Sequence, residues 1–118
     1  MEFNQDIKLL IDGKWIQSSE RDSLPLINPA TEEILSNVPI ANDKDLDNSL
    51  ISSHKAFKIW SKFPPLKRQS IMLKAVEIIK SRQEEIAKTL TMEMGKTLRE
   101  SRQEINQVIE TTVWCAEA

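Results

Sequence analysis

The spacing of apolar residues changes near position 41 of the chain. Up to Ile40, short runs rich in β-forming residues alternate with turn residues, which predicts strands. From Asn42 onward, apolar residues recur at helical spacing, which predicts amphipathic helices. The pattern therefore predicts an α+β segment, with β-hairpins over residues 1–40 followed by about four helices over residues 42–118.

The first hairpin is predicted from a turn dipeptide between two short apolar runs. Ile7–Ile11 and Lys14–Gln17 are separated by Asp12-Gly13, which is typical of a tight hairpin turn. The chain is therefore expected to open with a β-hairpin, which the polar stretch at residues 18–23 then follows.

A second extended pair is predicted over Leu24–Ile27 and Glu33–Ile40. The segment Asn28-Pro29-Ala30-Thr31 between them marks a reversal of the chain. Pro25 and Pro39 cannot donate ladder hydrogen bonds, so we expect both strands at sheet edges.

The first two helices are separated by prolines. Asn42 suits an N-cap, and Asp43 and Asp45 suit the positive end of the helix dipole. Phe63-Pro64-Pro65 is expected to end this helix, and its proline pair suits the first turn of the next. The apolar positions of the first helix are Leu46, Leu50, Phe57 and Trp60. Those of the second are Leu66, Met72, Leu73, Val76 and Ile79, widened by Ile71, Ala75 and Ile78, so this helix is expected to be buried on more than one side.

Capping signals predict two further helices. Ser81-Arg82-Gln83-Glu84 matches a capping box, and Gly95 suits the left-handed cap that would end this third helix. Thr97-Leu98-Arg99-Glu100 is a second capping box and predicts a fourth helix. Its apolar positions are Leu98, Ile105, Val108, Ile109, Thr112, Val113 and Ala116. No stop signal follows this fourth helix. The predicted elements also have more apolar faces than a module of this size can bury against one another, so we interpret the sequence as cut from a longer one.

The composition restricts the partners and the cellular compartment that fit this protein. The 118 residues carry 16 Lys and Arg against 18 Asp and Glu, a net charge of −2 that disfavours nucleic acid or an anionic membrane as a partner. No apolar run approaches the ~20 residues that span a bilayer. Cys115, the single cysteine, cannot form an intrachain disulfide. These features predict a cytoplasmic protein.

Two motifs suggest chemistry but have simpler structural roles. Gly95-Lys96-Thr97 has the ending of a P-loop, yet Leu90 stands where the first glycine of that motif would be. A helix break, with Gly95 as one cap and Thr97 as the next, is the preferred interpretation. Cys115 lies late in a predicted helix, where the dipole disfavours a thiolate, so a packed or exposed cysteine is expected rather than a nucleophile.

The remaining candidates are isolated side chains. His54 lies among polar residues and is interpreted as a solvated surface histidine. Capping and solvation account for Glu84 and Glu85, whereas Glu93, at the break beside the apolar stripe, is less easily explained. Trp15, Trp60 and Trp114 are interpreted as core or interface anchors. Residue chemistry alone thus assigns no catalytic, cofactor-binding or metal-binding residue.

The order of five short motifs resembles the amino-terminal part of the NAD(P)-dependent aldehyde dehydrogenase superfamily. The resemblance runs from about Leu9 to Ala118. Its Glu93-Met94-Gly95-Lys96 form and Trp114–Glu117 ending are most similar to succinate-semialdehyde dehydrogenase-like members. The motifs are Ile11-Asp12-Gly13-Lys14-Trp15, Asn28-Pro29-Ala30-Thr31-Glu32-Glu33, Ala56-Phe57 with Trp60, Pro65 with Arg68, and Glu93-Met94-Gly95-Lys96.

The resemblance implies that residues 1–118 are the amino-terminal part of the cofactor-binding domain of an α/β enzyme. The catalytic domain, with the cysteine nucleophile and the general-base glutamate, would lie downstream, and Cys115 does not correspond to that nucleophile. The whole enzyme would oxidise an aldehyde to a carboxylic acid with NAD or NADP and would form a homo-oligomer. This segment alone is expected to bind no cofactor, to be inactive, and to pack as a scaffold on the remainder of the chain.

Two further expectations come with the resemblance. In some members, the backbone at the position of Ile27 and an acidic side chain at that of Glu93 help to hold a monovalent cation, although Glu replaces the shorter Asp of some relatives. The alternative to an enzyme segment is a self-contained, non-catalytic helical interaction module. An in-frame continuation of the gene beyond Ala118, with a glycine-rich segment and a cysteine nucleophile, would favour the enzyme.

Overall fold

The first hairpin closes on Asp12 and Gly13, which both adopt the left-handed backbone of a tight turn, with φ of 52° and 71°. In the computed structural model, β1 (Leu9–Ile11) pairs antiparallel with β2 (Lys14–Ile16), which confirms this hairpin. The structure describes residue 3 and residues 6–17 and 21–118, so the first half of the predicted polar stretch and the extreme amino terminus lie outside the described residues.

The second hairpin pairs β3 (Ser23–Ile27) with β4 (Ile34–Pro39), also antiparallel. The turn after β3 begins at Asn28, whose side chain accepts a hydrogen bond of 2.9 Å from the backbone N–H of Ala30. The predicted second pair is therefore confirmed. Because its sheet has only two strands, each strand keeps an open edge that tolerates Pro25 and Pro39.

Helix α1 (Asp43–Trp60) begins at the predicted cap. The Asn42 side chain accepts a hydrogen bond from the backbone N–H of Asp45, and the Asp45 carboxylate accepts one from the backbone N–H of Asn42. Both hairpins and α1 form one unit that ends at Lys62. The predicted apolar stripe of α1 is not buried in this unit, because Leu46, Leu50 and Phe57 are each more than half exposed.

A second unit, from Phe63 to Ala118, contains the other three helices. These are α2 (Pro65–Ser81), α3 (Gln83–Met94) and α4 (Leu98–Glu117). The α+β prediction of two hairpins and four helices is thus confirmed. The core of this unit consists of Val76, Ala87, Ile105 and Ile109, with Ile79, Ile86, Leu90, Leu98 and Val113 packed against it. Among the described helices, none is long and apolar enough to cross a membrane.

The capping box predicted at Ser81-Arg82-Gln83-Glu84 is wrong. Ser81 is the last residue of α2, and its hydroxyl donates a hydrogen bond of 2.8 Å to the carbonyl of Ile78. Arg82 links α2 to α3 and makes no side-chain cap. Because α2 continues through Ser81, that residue is helical and cannot adopt the extended backbone of an N-cap.

The other two predicted helix signals are confirmed. Gly95 has a φ of 73° and ends α3 in the left-handed conformation. The Thr97 hydroxyl accepts a hydrogen bond from the backbone N–H of Glu100, whose carboxylate accepts one from the backbone N–H of Thr97. The Gly95-Lys96-Thr97 segment is therefore a helix break.

Replacing the cap of α4 tests this difference between Ser81 and Thr97. Thr97→Ala is expected to reduce the local opening free energy of the first turn of α4 by about 1 kcal/mol, because it removes an N-cap acceptor. Ser81→Ala, the matched control, is expected to leave the start of α3 unchanged. Native-state amide hydrogen exchange measures both. Equal effects of the two substitutions would contradict the assigned caps.

Candidate functional site

Two overlapping sequence motifs, Glu93–Lys96 and Gly95-Lys96-Thr97, lie at the link between α3 and α4, and polar contacts within the chain stabilise it. The hydroxyls of Thr91 and Ser101 lie 2.9 Å apart, and Ser101 is fully buried. The Lys96 ammonium pairs with the carboxylate of Glu104. Glu93 lies on the exposed side of α3. The polar side chains of this link, apart from Glu93, are thus engaged in contacts within the chain.

The Glu100 carboxylate closes this junction at the start of α4. Its Oε2 accepts hydrogen bonds from the hydroxyl of Thr97 at 2.8 Å and from the backbone N–H of Thr97 at 3.1 Å. These hydrogen bonds, from the side chain and then the backbone of Thr97, lower the pKa of Glu100 from its usual value. Glu100 is thus an ionised capping group.

The carboxylates of Glu84 and Glu85 form separate ion pairs and not a joint acid–base site. Arg102 of α4 donates two hydrogen bonds to Glu84, at 2.8 and 2.9 Å. Arg82 donates two to Glu85, at 2.7 and 2.9 Å. The hydrogen bonds from these arginines are the main reason that the pKa of each glutamate is lowered. Glu84 therefore joins α3 to α4, instead of capping α3 as predicted.

A buried ion pair joins the segment after β2 to the start of α1. Arg21 donates hydrogen bonds from Nε and Nη2 to the two carboxylate oxygens of Asp45, each at 2.6 Å. The side chain of Asp45 is only 4% exposed. Sequence reasoning placed Asp45 at the helix start but missed Arg21, because 24 residues separate the two and no local pattern connects them.

The Arg21–Asp45 pair predicts a pH dependence of stability. The hydrogen bond from Arg21 is the main cause that lowers the pKa of Asp45 from 3.8 to about 2. Because the folded pKa is the lower one, the pair stabilises the fold fully above about pH 4 and progressively less as the pH falls through about 2. Asp45→Asn should therefore lower the melting temperature of the protein at neutral pH, and the difference from the unmodified protein should shrink near pH 2.

Thermal unfolding followed by circular dichroism at several pH values measures this difference. Glu110→Gln is the matched control, since it neutralises an exposed carboxylate on α4. A gap between Asp45→Asn and the unmodified protein that stays constant from neutral pH down to about pH 2 would show that the Arg21 pair is not its source.

The other predicted candidates lie apart from these clusters. Cys115 is exposed on α4, which is one of the two placements predicted for it, and His54 is exposed on α1, as predicted. Within the described residues, no three His, Cys, Asp or Glu side chains come together in a way that could hold a metal ion. Ile27 and Glu93, named for a cation site, belong to different units.

Exposed apolar surface is the most prominent remaining feature of the described residues. Trp15 is 68% exposed and Trp114 is 70% exposed, so the described residues do not bury them in a core, and the alternative that they are interface anchors stays a prediction. The second side of α2 is also open: Ile71 is 41% exposed and Ile78 is 60% exposed, although burial on more than one side was predicted. Helical spacing identified these faces, but only Val76 of α2 is buried by the described residues.

Comparison with known proteins connects this arrangement to one family. A family model described as aldehyde dehydrogenase family matches residues 15–118. Malonate-semialdehyde dehydrogenase 1 of Geobacillus thermodenitrificans is 37% identical over 97% of the chain, which covers 24% of that protein. The probable acylating methylmalonate-semialdehyde/malonate-semialdehyde dehydrogenase of Anopheles gambiae is 35% identical over 92% of the chain, which covers 21% of that protein.

Solved structures show the same fold at the start of longer chains. Aldehyde dehydrogenase 21 from Physcomitrella patens, in complex with the reaction product succinate, matches 94% of this chain with a TM-score of 0.88 and 31% identity, over 23% of its own length. Betaine aldehyde dehydrogenase from Staphylococcus aureus, in complex with NAD+, matches 99% with a TM-score of 0.90 and 24% identity, over 25% of its own length. The chain thus spans about a quarter of the length of these proteins.

Proposed function

The chain belongs to the aldehyde dehydrogenase family, and we propose that it is the amino-terminal part of a semialdehyde dehydrogenase that uses NAD or NADP. The observation that carries this proposal is the agreement between the family match and relatives that are named for semialdehyde substrates. In the reaction, the aldehyde passes a hydride to the oxidised cofactor, and its acyl group is transferred to water to give a carboxylic acid, or to the thiol of coenzyme A to give a thioester, with release of one proton.

The proposed role of this segment is that of a scaffold. The charged side chains of its polar clusters form ion pairs with one another: Glu84 with Arg102, Asp45 with Arg21, and Lys96 with Glu104. The exposed apolar faces of α1 and α2 suit packing on the remainder of the enzyme. That remainder would also contain the nucleophile and the cofactor-binding residues. No residue of this chain is assigned to the reacting atoms.

The proposed substrate is a short aldehyde that carries a carboxylate at its other end. The Glu93–Lys96 motif resembles that of succinate-semialdehyde dehydrogenase-like members but does not contact the substrate, whereas the relatives reported above are named for malonate or methylmalonate semialdehyde. The Physcomitrella enzyme was solved in complex with its reaction product succinate, so succinate semialdehyde is a second candidate substrate. We propose malonate semialdehyde as the preferred substrate, because the relatives named for it align with almost the whole chain.

Formation of the reduced cofactor by the complete polypeptide tests the proposal. The assay compares malonate, methylmalonate and succinate semialdehydes, each with NAD or NADP and with or without coenzyme A. Betaine aldehyde is the matched control, because it carries a positive charge in place of the carboxylate. Equal turnover of betaine aldehyde would reject the semialdehyde class. A complete lack of aldehyde-dependent reduction would instead support the non-catalytic module.

A further inference from the structure

A cleft lies between the first hairpin and α1, within the unit that ends at Lys62. Residues 11–16 form one wall and residues 48–55 form the other, and we call this space the hairpin cleft. The Ser52 hydroxyl donates a hydrogen bond of 3.0 Å to Oδ1 of Asp12, which joins the turn of the hairpin to the helix. The hairpin cleft has a volume of about 260 Å³. Its two walls are thus held together by a direct contact.

Isoleucines supply the apolar surface of the hairpin cleft. The pairing of β1 with β2 places Ile11 and Ile16 on one side of the hairpin, and both are half-buried. Ile51 lines the same cleft from α1 and is 53% exposed. Both walls therefore offer apolar surface to a bound aliphatic chain.

Each wall of the hairpin cleft also carries a cation. Lys14 pairs with Ile11 across the hairpin and so lies on its cleft side, where a hairpin packed on a helix ordinarily carries an apolar residue. Lys55 follows Ile51 by one helical turn and lines the same cleft. Within the described residues, neither lysine forms an ion pair. Asp12 offsets one of the two charges, so the cleft keeps one net positive charge that a singly charged anion balances.

We propose that the hairpin cleft binds a small aliphatic monocarboxylate. The isoleucines contact its chain, and the ammoniums of Lys14 and Lys55 bind its carboxylate, with the side-chain amide of Asn48 as a further donor. The cleft is smaller than the roughly 300–1,000 Å³ of pockets that hold drug-sized ligands, which favours a short chain. The site goes beyond the proposed function, because aldehyde oxidation uses none of these residues.

Acetylation of individual lysines in the complete protein tests the proposal, with hexanoate as the ligand. A brief pulse of an N-hydroxysuccinimide ester labels accessible ammoniums, and mass spectrometry measures the labelling of each lysine. At about 10 mM hexanoate, labelling of Lys14 and Lys55 is expected to slow about fivefold, as for a dissociation constant of about 2.5 mM. Lys14→Gln is expected to weaken the binding that protects Lys55 about threefold, because the carboxylate then keeps only one of its two cations.

Lys58 and hexanamide are the controls for this experiment. Lys58 is exposed on α1 outside the hairpin cleft, so its labelling is expected to stay constant. Hexanamide has the same chain without the charge and is expected to protect neither lysine. Unchanged labelling of Lys14 and Lys55, equal slowing at Lys58 or equal protection by hexanamide would overturn the proposal.

The free protein supplies a further check on the hairpin cleft. If Lys14 and Lys55 resist acetylation before hexanoate is added, another part of the protein fills the cleft, and the proposal is likewise overturned. Labelling requires no turnover, so this result is independent of whether the complete protein oxidises a semialdehyde.

Discussion

The 118 residues by themselves are expected to oxidise no aldehyde and to show no saturable binding of NAD or NADP at micromolar concentrations. A dinucleotide site needs glycines that let the backbone approach the pyrophosphate, and the chain has only Gly13 and Gly95. Gly13 is in a hairpin turn, and Gly95 ends α3. The binding free energy is therefore expected to stay weaker than about −4 kcal/mol, which corresponds to a dissociation constant above about 1 mM.

Isothermal titration calorimetry of the isolated segment with each cofactor measures this binding. The complete polypeptide is the positive control, and it is expected to bind and to turn over in the same buffer. Saturation of the segment at micromolar cofactor would mean that these residues contain a cofactor site. Turnover of any aldehyde would mean that Cys115 or another described side chain acts as a nucleophile.

The local elements of the fold could be predicted because their causes lie within a few residues. Each confirmed turn or cap depends on the backbone preference of its own residues and on hydrogen bonds to residues close in sequence, as at Asp12-Gly13, Asn42 and Thr97. Ser81 has the same chemistry as Thr97, yet it failed as a cap because α2 continues through it. Capping residues indicate a helix start only where the preceding chain is extended.

The long-range contacts could not be predicted in the same way. Arg21 and Asp45 are 24 residues apart, and Glu84 and Arg102 are 18 apart, so no periodic pattern relates the partners. Spacing identified the apolar faces of α1 and α2, but it gives no information about what covers them. The sequence could not decide between a core and an interface for Trp15 and Trp114 for that reason, and the described residues leave both largely exposed.

The second large effect is expected in the association state of the isolated 118-residue chain, which should be loosely packed or self-associated. Full burial of an isoleucine or leucine contributes about 1.5–3 kcal/mol, so the lost partners of three or four such side chains are comparable to the roughly 5–15 kcal/mol stability of a domain. Contiguous apolar surface also promotes association. The caps at Asn42, Gly95 and Thr97 are expected to preserve much of the helix content.

Two double variants distinguish the contribution of the apolar face of α2 to self-association from a general effect of added charge. Ile71→Lys with Ile78→Lys is expected to shift the isolated chain towards monomer in sedimentation velocity, because both side chains are exposed. Gln103→Lys with Gln107→Lys adds the same charge at exposed polar positions of α4 and is expected to leave the distribution unchanged. A sharp, reversible melt from a monodisperse monomer of the unmodified chain would show that these 118 residues close their own core, and the scaffold role would lose its physical basis.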